Sequence, residues 1–243
     1  MWAHYHSAPY PSQASEAIVN RCRIHPATPR PDESVVSRLR ELPTTIVSDQ
    51  LERAGAMHGL HPITGPELGI LAGPAFTVRT RPGDNLAIYK AIDLIEPGDV
   101  LVIDGGGATD RAIAGEIVCL HAASQGAAGI VADGVVRDVA DIARGSLPVY
   151  ARGASPLGPY KSGPGELRGP ISVGGTAVRQ GDFIVGDPDG VVVARPDRID
   201  DIFAGAQAQL AKEERSIAQA RAGELDTSWL DAAVDLEMVD HMP

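Results

Sequence analysis

"GDVLVIDGGGATDRAIAGEIVCLHAASQGAAGIVADGVVRD", residues 98–138, is the stretch whose reading decides the fold. GDVLVIDGGG opens it as a continuous apolar run bounded by glycine, the pattern of a strand buried on both faces. GAAGIVADG repeats that pattern, and the residues between, from Glu116 on, suit a helix. Strand, helix and strand in about 35 residues make a β-α-β unit, so a parallel pair with a right-handed crossover is expected.

The same reading extends outward. PDESVVSRLREL (31–42) puts Pro, Asp and Glu in a first turn ahead of apolar residues at helical spacing. TTIVSDQLERAGA (44–56) repeats the device, with Thr44 or Thr45 as cap. ILAGPAFTVRTR (70–81) is β-like, and DNLAIYKAIDLI (84–95) is helical. AVRQGDFIVGDPDGVVVAR (177–195) predicts strand, Asp-Pro-Asp-Gly turn and strand. Its QGDFIVGDPDG echoes PGDVLVIDG, either as a weak internal repeat or as two similar strand entries. Residues 198–224 form a long charged helix with Gly223 as C-cap. Residues 1–31, rich in Pro, Ser and His, read as an arm; 32–197 as one α/β domain; 198–243 as a helical tail.

Composition limits the functions. The formal charge is −11, with 21 basic residues and no Lys/Arg block. Nucleic acid and anionic membrane are therefore poor partners. No apolar run approaches a membrane span, and MWAHYHSAPYPSQ lacks the basic end and apolar stretch of a signal peptide. Two cysteines, Cys22 and Cys119, are too few for a disulfide framework. A cytoplasmic setting is expected.

Parallel strands place ligand sites at their carboxyl ends. Two such ends occur, in DGGGATDRAIAGE and in DGVVRD. Arg137 offers a planar fork for a carboxylate. Asp138 offers hard oxygens for Mg²⁺ or Mn²⁺. A helix starting after Gly115 leaves the N–H groups of Glu116, Ile117 and Val118 free for an anion. Glu116 is placed to hold a metal-bound water or act as a base. Together these parts would bind a small 2-oxo acid. The plainer alternative is a solvated Arg-Asp pair beside a glycine turn.

VSDQLERAG, AGPAFTVRT, GDVLVIDGGG, AGEI, GIVADGVVRD and GDFIVGDPDGVVVA, in that order, closely resemble the RraA-like family. Within it the chain looks most like the 4-hydroxy-4-methyl-2-oxoglutarate / 4-carboxy-4-hydroxy-2-oxoadipate aldolases. The resemblance covers roughly residues 35–225. It implies an α/β/β/α sandwich, similar to the swivelling phosphohistidine domain, and a homotrimer or homohexamer with sites between subunits. It also implies a divalent metal cation on Asp138, a substrate carboxylate and enolate on Arg137, and the amides of Ile117 and Val118 on the pyruvate unit. Glu116 stands where the family's aldolases more commonly carry Asp. The resemblance further implies that the tail, 198–243, packs on a neighbouring subunit and that a glutamate from it completes each pocket, by distance from Gly223 Glu213 rather than Glu214; the plainer alternative is a solvated helix face. Oxaloacetate decarboxylation is implied as a side activity. The family also contains regulators of ribonuclease activity that lack the metal aspartate, so a non-catalytic, partner-binding protein is the alternative.

Other groups read as less promising. Lys90, Lys161 and Lys212 lack the apolar pocket of a Schiff-base lysine. Cys119 and His121 point to different sides of their helix, and Cys22 with His25 has no partner pair. Asp110 with Arg111 could line the pocket and Ser48 with Asp49 could approach a site, although a solvated loop pair and a helical surface position are the plainer readings. Asp187 and Asp189 read as turn residues.

Overall fold

The computed structural model describes residues 21–237. Its strands are β1 (Cys22–Ile24), β2 (His61–Pro62), β3 (Leu71–Thr80), β4 (Val100–Ala108), β5 (Gly129–Gly134) and β6 (Val149–Ala151), then β7 (Gly165–Leu167), β8 (Ile171–Val173), β9 (Thr176–Val178), β10 (Phe183–Asp187) and β11 (Gly190–Ala194). The helices used below are α1 (Glu33–Leu39), α2 (Thr44–Gln50), α3 (Leu86–Ile92), α4 (Glu116–Ser124), α5 (Val139–Arg144) and α6 (Ile199–Ala222).

The expected β-α-β unit is β4-α4-β5, and its two strands pair in parallel, Val100 with Gly129 through Asp104 with Asp133. β3 and β6 flank them, again in parallel. β3 serves two pairings: Leu71–Pro74 runs antiparallel to β10, whereas Ala75–Arg79 runs parallel to β4. That division places the β10–β11 hairpin over one face of the parallel strands.

Side-chain alternation then builds the layers. Leu101, Ile103, Ile130 and Ala132 face α3, α4 and α5 in one core cluster. Val100, Val102 and Val131 face the other way, against Ile184, Val191 and Val193 of the hairpin and Ile171 and Val173 of β8. The hairpin's alternate residues, Phe183, Val185, Val192 and Ala194, pack on α1, α2 and the first turns of α6. Both faces of β4, β5, β10 and β11 are therefore buried, which is why they read as unbroken apolar runs. The outcome is the mixed α/β sandwich expected, with a C-terminal helix.

The structure departs from the sequence reading at several places. The Gly105–Gly107 triplet is not a loop after the strand; β4 runs through it to Ala108, with its register slipping between Asp104 and Ala108. Neither Thr44 nor Thr45 caps α2. Thr44 is buried in its first turn and donates backbone N–H (2.8 Å) and hydroxyl (2.7 Å) to Asp187. Asp187, read as a turn residue, also accepts from Asp189 N, so it performs turn chemistry and anchors a helix. Within the N-terminal arm, residues 1–20 lie outside the described residues. Residues 22–24 form β1 beside β7, and Arg30 reaches Glu96, Asp99 and the Pro97 carbonyl. An edge strand held by main-chain bonds needs no apolar periodicity, so none marked it.

Candidate active site

Beyond the carboxyl ends of β4, β5 and β6 the chain adds one further rung, with Ala114 bridging Val136 and Val136 bridging Ala154, both in parallel. Arg137 N donates to Ala114 O at 3.0 Å. This rung explains the spacing in the sequence: Gly115 comes level with Arg137, and Glu116 with Asp138. The intervening small residues are the helix and strand that return the chain to this point.

Asp138 precedes α5 in the left-handed region, φ 58° and ψ 38°. Aspartate tolerates that conformation better than most residues, at some cost in strain. An aspartate here would ordinarily cap its own helix. Asp138 makes no such bond; its Oδ2 instead takes the Glu116 N–H at 3.3 Å and lies 3.4 Å from Arg137 Nε. Gly115 permits this approach, because a Cβ there would meet Asp138 Oδ2 at 2.6 Å and Arg137 Cγ at 2.9 Å.

Gly115, Ile117, Val118, Arg137 and Asp138 thus share one cleft of about 200 Å³. The N–H groups of Ile117 and Val118, at the start of α4, have no hydrogen-bond partner among the described residues. Free amides at a helix N-terminus are the kind of donors that can bind an anion. Glu116 is level with this group, but its side chain borders the adjoining groove between α4 and α5, beside Cys119 and Asp141. Its backbone is part of the cluster; its carboxylate lies outside the cleft lining.

Three lining residues with polar side chains were not among the expected site residues. Asn85 is 2% exposed, and its Oδ1 has no hydrogen-bond partner. The signal was present as two capping residues in succession: Asp84 Oδ1 accepts from Leu86 N at 2.9 Å, which leaves Asn85 without a capping duty. Lys161 and Tyr89 also line the cleft, the ammonium 5.0 Å from the ring centroid. Buried Asp84 ties these parts together, its Oδ2 accepting from Ser162 N (2.8 Å) and Gly163 N (3.0 Å). Lys161, dismissed for want of a pocket, reaches this one because the loop around it is pinned.

The remaining groups are separated. Burial, followed by the charges of Asp138 and Glu116, pushes the Cys119 thiol up to about 12, so it stays protonated and unreactive. His121 instead tilts against Tyr89, ring centroids 6.2 Å apart. His25 pairs with Glu166 at 2.5 Å. Arg111 does not pair with Asp110. It donates to the Gly158 carbonyl and lies 4.2 Å from the Tyr160 ring centroid, bracing the cleft wall. Glu213 lies half-buried on α6, where Gln209 Nε2, itself 3.5 Å from Asp49 of α2, donates to it at 2.9 Å. It does not line the cleft of its own chain.

A profile of the RraA-like family, described as Aldolase/RraA, matches residues 44–193. The chain belongs to the RraA-like family. A Halalkalibacterium halodurans protein named "Putative 4-hydroxy-4-methyl-2-oxoglutarate aldolase" is 39% identical over 184 residues, covering 74% of this chain and 85% of that protein. An Arabidopsis thaliana protein so named is 35% identical, covering 58% of this chain and 86% of its own length. Among solved structures, RraAS2 of Streptomyces coelicolor, described as an unusual member of the RNase ES inhibitor RraA protein family, superposes with TM-score 0.71. It is 26% identical and covers 78% of this chain and 98% of its own. The matched residues include the motifs that carry the resemblance from Val47 to Val193, and span both Gly115 and Asp138.

Proposed function

We propose that this RraA-like chain is a divalent-metal-dependent carbon–carbon lyase, cleaving a 4-hydroxy-2-oxo acid to pyruvate and a second carbonyl compound. The observation that carries the reading is Asp138, turned away from capping its own helix and held beside Arg137 at the free amides of α4. The names of the relatives support the substrate class, of which 4-hydroxy-4-methyl-2-oxoglutarate and 4-carboxy-4-hydroxy-2-oxoadipate are examples.

The donor set fits Mg²⁺ or Mn²⁺. Such ions keep several waters and accept one or two protein carboxylates, and half-exposed Asp138, the one carboxylate lining the cleft among the described residues, is a donor of that kind. No group of three His, Cys, Asp or Glu among the described residues offers a closed cage instead. When bound, the cation would supply Lewis acidity toward the 2-oxo group.

The chain's own residues do the rest. Arg137 grips the substrate carboxylate through two hydrogen bonds and faces the enolate charge as the C3–C4 bond breaks. The N–H groups of Ile117 and Val118 share the pyruvate unit. Glu116 takes the proton of the C4 hydroxyl, swinging in from the cleft edge on its flexible side chain. Asn85 satisfies its buried oxygen on a substrate donor, and Lys161 holds an anionic group at the far end. Glu213 of the partner subunit completes the cleft in a trimer or hexamer. A regulator acting only through its surface leaves the diverted Asp138 and the partnerless Asn85 unexplained.

Oxaloacetate tests the reading directly, since loss of CO₂ leaves the same enolate. Pyruvate release, coupled to lactate dehydrogenase, should require Mg²⁺ or Mn²⁺, stop with EDTA and vanish in Asp138→Ala. Turnover by Asp138→Ala at the wild-type rate, with metal added, refutes the assignment.

A further inference from the structure

We infer that Asp84 is a positioning residue of the cleft, acting through Lys161. The inference rests on the proposed function in taking Lys161 to hold the substrate's far anionic group.

Asp84 is fully buried, and a carboxylate shut off from water needs hydrogen bonds in its place. Its two oxygens are divided between two elements. Oδ1 accepts from Leu86 N at 2.9 Å, in the first turn of α3. Oδ2 accepts from Ser162 N (2.8 Å), Gly163 N (3.0 Å) and Ser162 Oγ (3.2 Å). A cap for α3 requires one oxygen, which serine or threonine could supply. The second oxygen serves only the loop. α3 carries Tyr89 and the loop carries Lys161, whose ammonium lies 5.0 Å from the Tyr89 ring centroid. One carboxylate therefore fixes both a cation and the aromatic ring it lies over.

The loop it holds runs from one cation of the cleft to the other. At Gly158 the chain lies against Arg137, where a Cβ would meet Nη1 at 2.7 Å. At Tyr160 it is bound to the segment before α3, with Tyr160 N donating to Gly83 O (2.8 Å) and Asn85 N to Tyr160 O (3.0 Å). Asp84 then fastens residues 162 and 163, just past Lys161. Lysine is a point charge on a flexible stem, so its aim depends on where its backbone is held. With both sides pinned, loop length and Asp84 set the separation of Lys161 from Arg137, and with it the spacing of the two anionic groups they can hold.

Asp84→Asn divides the two duties. The asparagine oxygen can still cap α3, whereas its NH2 would face the Ser162 and Gly163 N–H groups with no acceptor between them. The test reads binding rather than turnover, in the full-length protein with Mg²⁺. The probes are 2-oxoglutarate and 2-oxopentanoate, acids of one chain length that differ by the second carboxylate. Isothermal titration calorimetry on wild type should give roughly 10-fold tighter binding of 2-oxoglutarate, the scale of one charge-assisted hydrogen bond. That preference should vanish in Asp84→Asn, in Lys161→Met and in the double variant alike. A purely structural defect would instead weaken both acids together and add to the effect of Lys161→Met. Ser162→Pro deletes one of the loop's N–H donors from the exposed side, and it decides the matter if Asp84→Asn does not fold. It too should lose the preference. A folded Asp84→Asn or Ser162→Pro protein that keeps the preference overturns the inference. So does equal weakening of both acids, or a wild type that binds them alike. A protein that releases pyruvate but keeps the preference in Asp84→Asn defeats only this inference; one that loses the preference there, yet releases no pyruvate as wild type, defeats only the proposed function.

Discussion

Gly115 shows how much one hydrogen atom in place of a methyl can decide. A Cβ there would fall 2.6 Å from Asp138 Oδ2 and 2.9 Å from Arg137 Cγ, both closer than real contacts allow. Its backbone is extended, φ −158° and ψ −171°, so alanine meets no conformational obstacle, only this collision. Gly115→Ala should therefore fold normally and displace the two side chains by a fraction of an ångström to an ångström. A shift of that size is enough to cost roughly 100-fold in kcat/KM. A wild-type kcat/KM in a folded Gly115→Ala protein refutes the close approach. Lys161 poses the converse question, because the structure brings an amine to the cleft that the sequence reading set aside. It is exposed and lies over Tyr89 rather than in the desolvated pocket that Schiff-base chemistry needs. Borohydride with pyruvate should leave the protein's mass unchanged; a covalent adduct on Lys161 would replace metal chemistry with an imine.

At the scale of elements, the echo between PGDVLVIDG and QGDFIVGDPDG resolves into a shared strand entry. Gly98 and Gly181 both adopt left-handed conformations, φ 91° and 83°. The aspartate after each accepts the N–H three residues back, Asp99 from Glu96 at 2.9 Å and Asp182 from Arg179 at 2.8 Å. Burial pushes both carboxyls above their ordinary value of 3.8, against the pull of those hydrogen bonds and of nearby arginines. A raised folded value means stability present below 3.8 and lost as pH rises through the higher folded value. Asparagine keeps the acceptor and removes the titration. Across about pH 3.5 to 6, the urea midpoint of Asp182→Asn should gain on that of wild type as pH rises; a constant difference would show that Asp182 is not desolvated. The β-α-β unit, the hairpin and the capped α6 were legible because each buries a periodic apolar face or ends on a glycine of fixed role. β1 and β7 were not, since strands of three residues, β1 at the sheet edge and β7 between it and β3, are held by main-chain bonds that leave no side-chain pattern. That Glu116, Arg137 and Asp138 meet at one end of the β-α-β unit was legible from spacing, whereas their proposed roles came from the family resemblance. Asn85 was hidden because its meaning depends on Asp84 having already taken the capping role.

At the scale of the whole molecule, a chain of charge −11 gathers Arg137 and Lys161 into one cleft. A local positive site in an acidic protein selects small anions and discourages polyanions. The cleft is open on one side in the single chain, and Glu213, proposed for the reaction, lies half-buried on α6 beside Gln209, which reaches Asp49 of α2. If Glu213 acts at all, it acts in another copy's cleft. Arg137→Ala and Glu213→Ala should each be poorly active alone, the first lacking its carboxylate grip and the second its neighbour's carboxylate. Unfolded and refolded together, the two variants should form some clefts that pair an intact Arg137 with an intact Glu213 of the partner subunit. Activity should then exceed that of either variant refolded separately. The recovery should grow with the proportion of mixed oligomers counted by native mass spectrometry. Mixed oligomers with no recovery would remove Glu213 from the reaction and leave its bond to Gln209 as a feature of the helix surface.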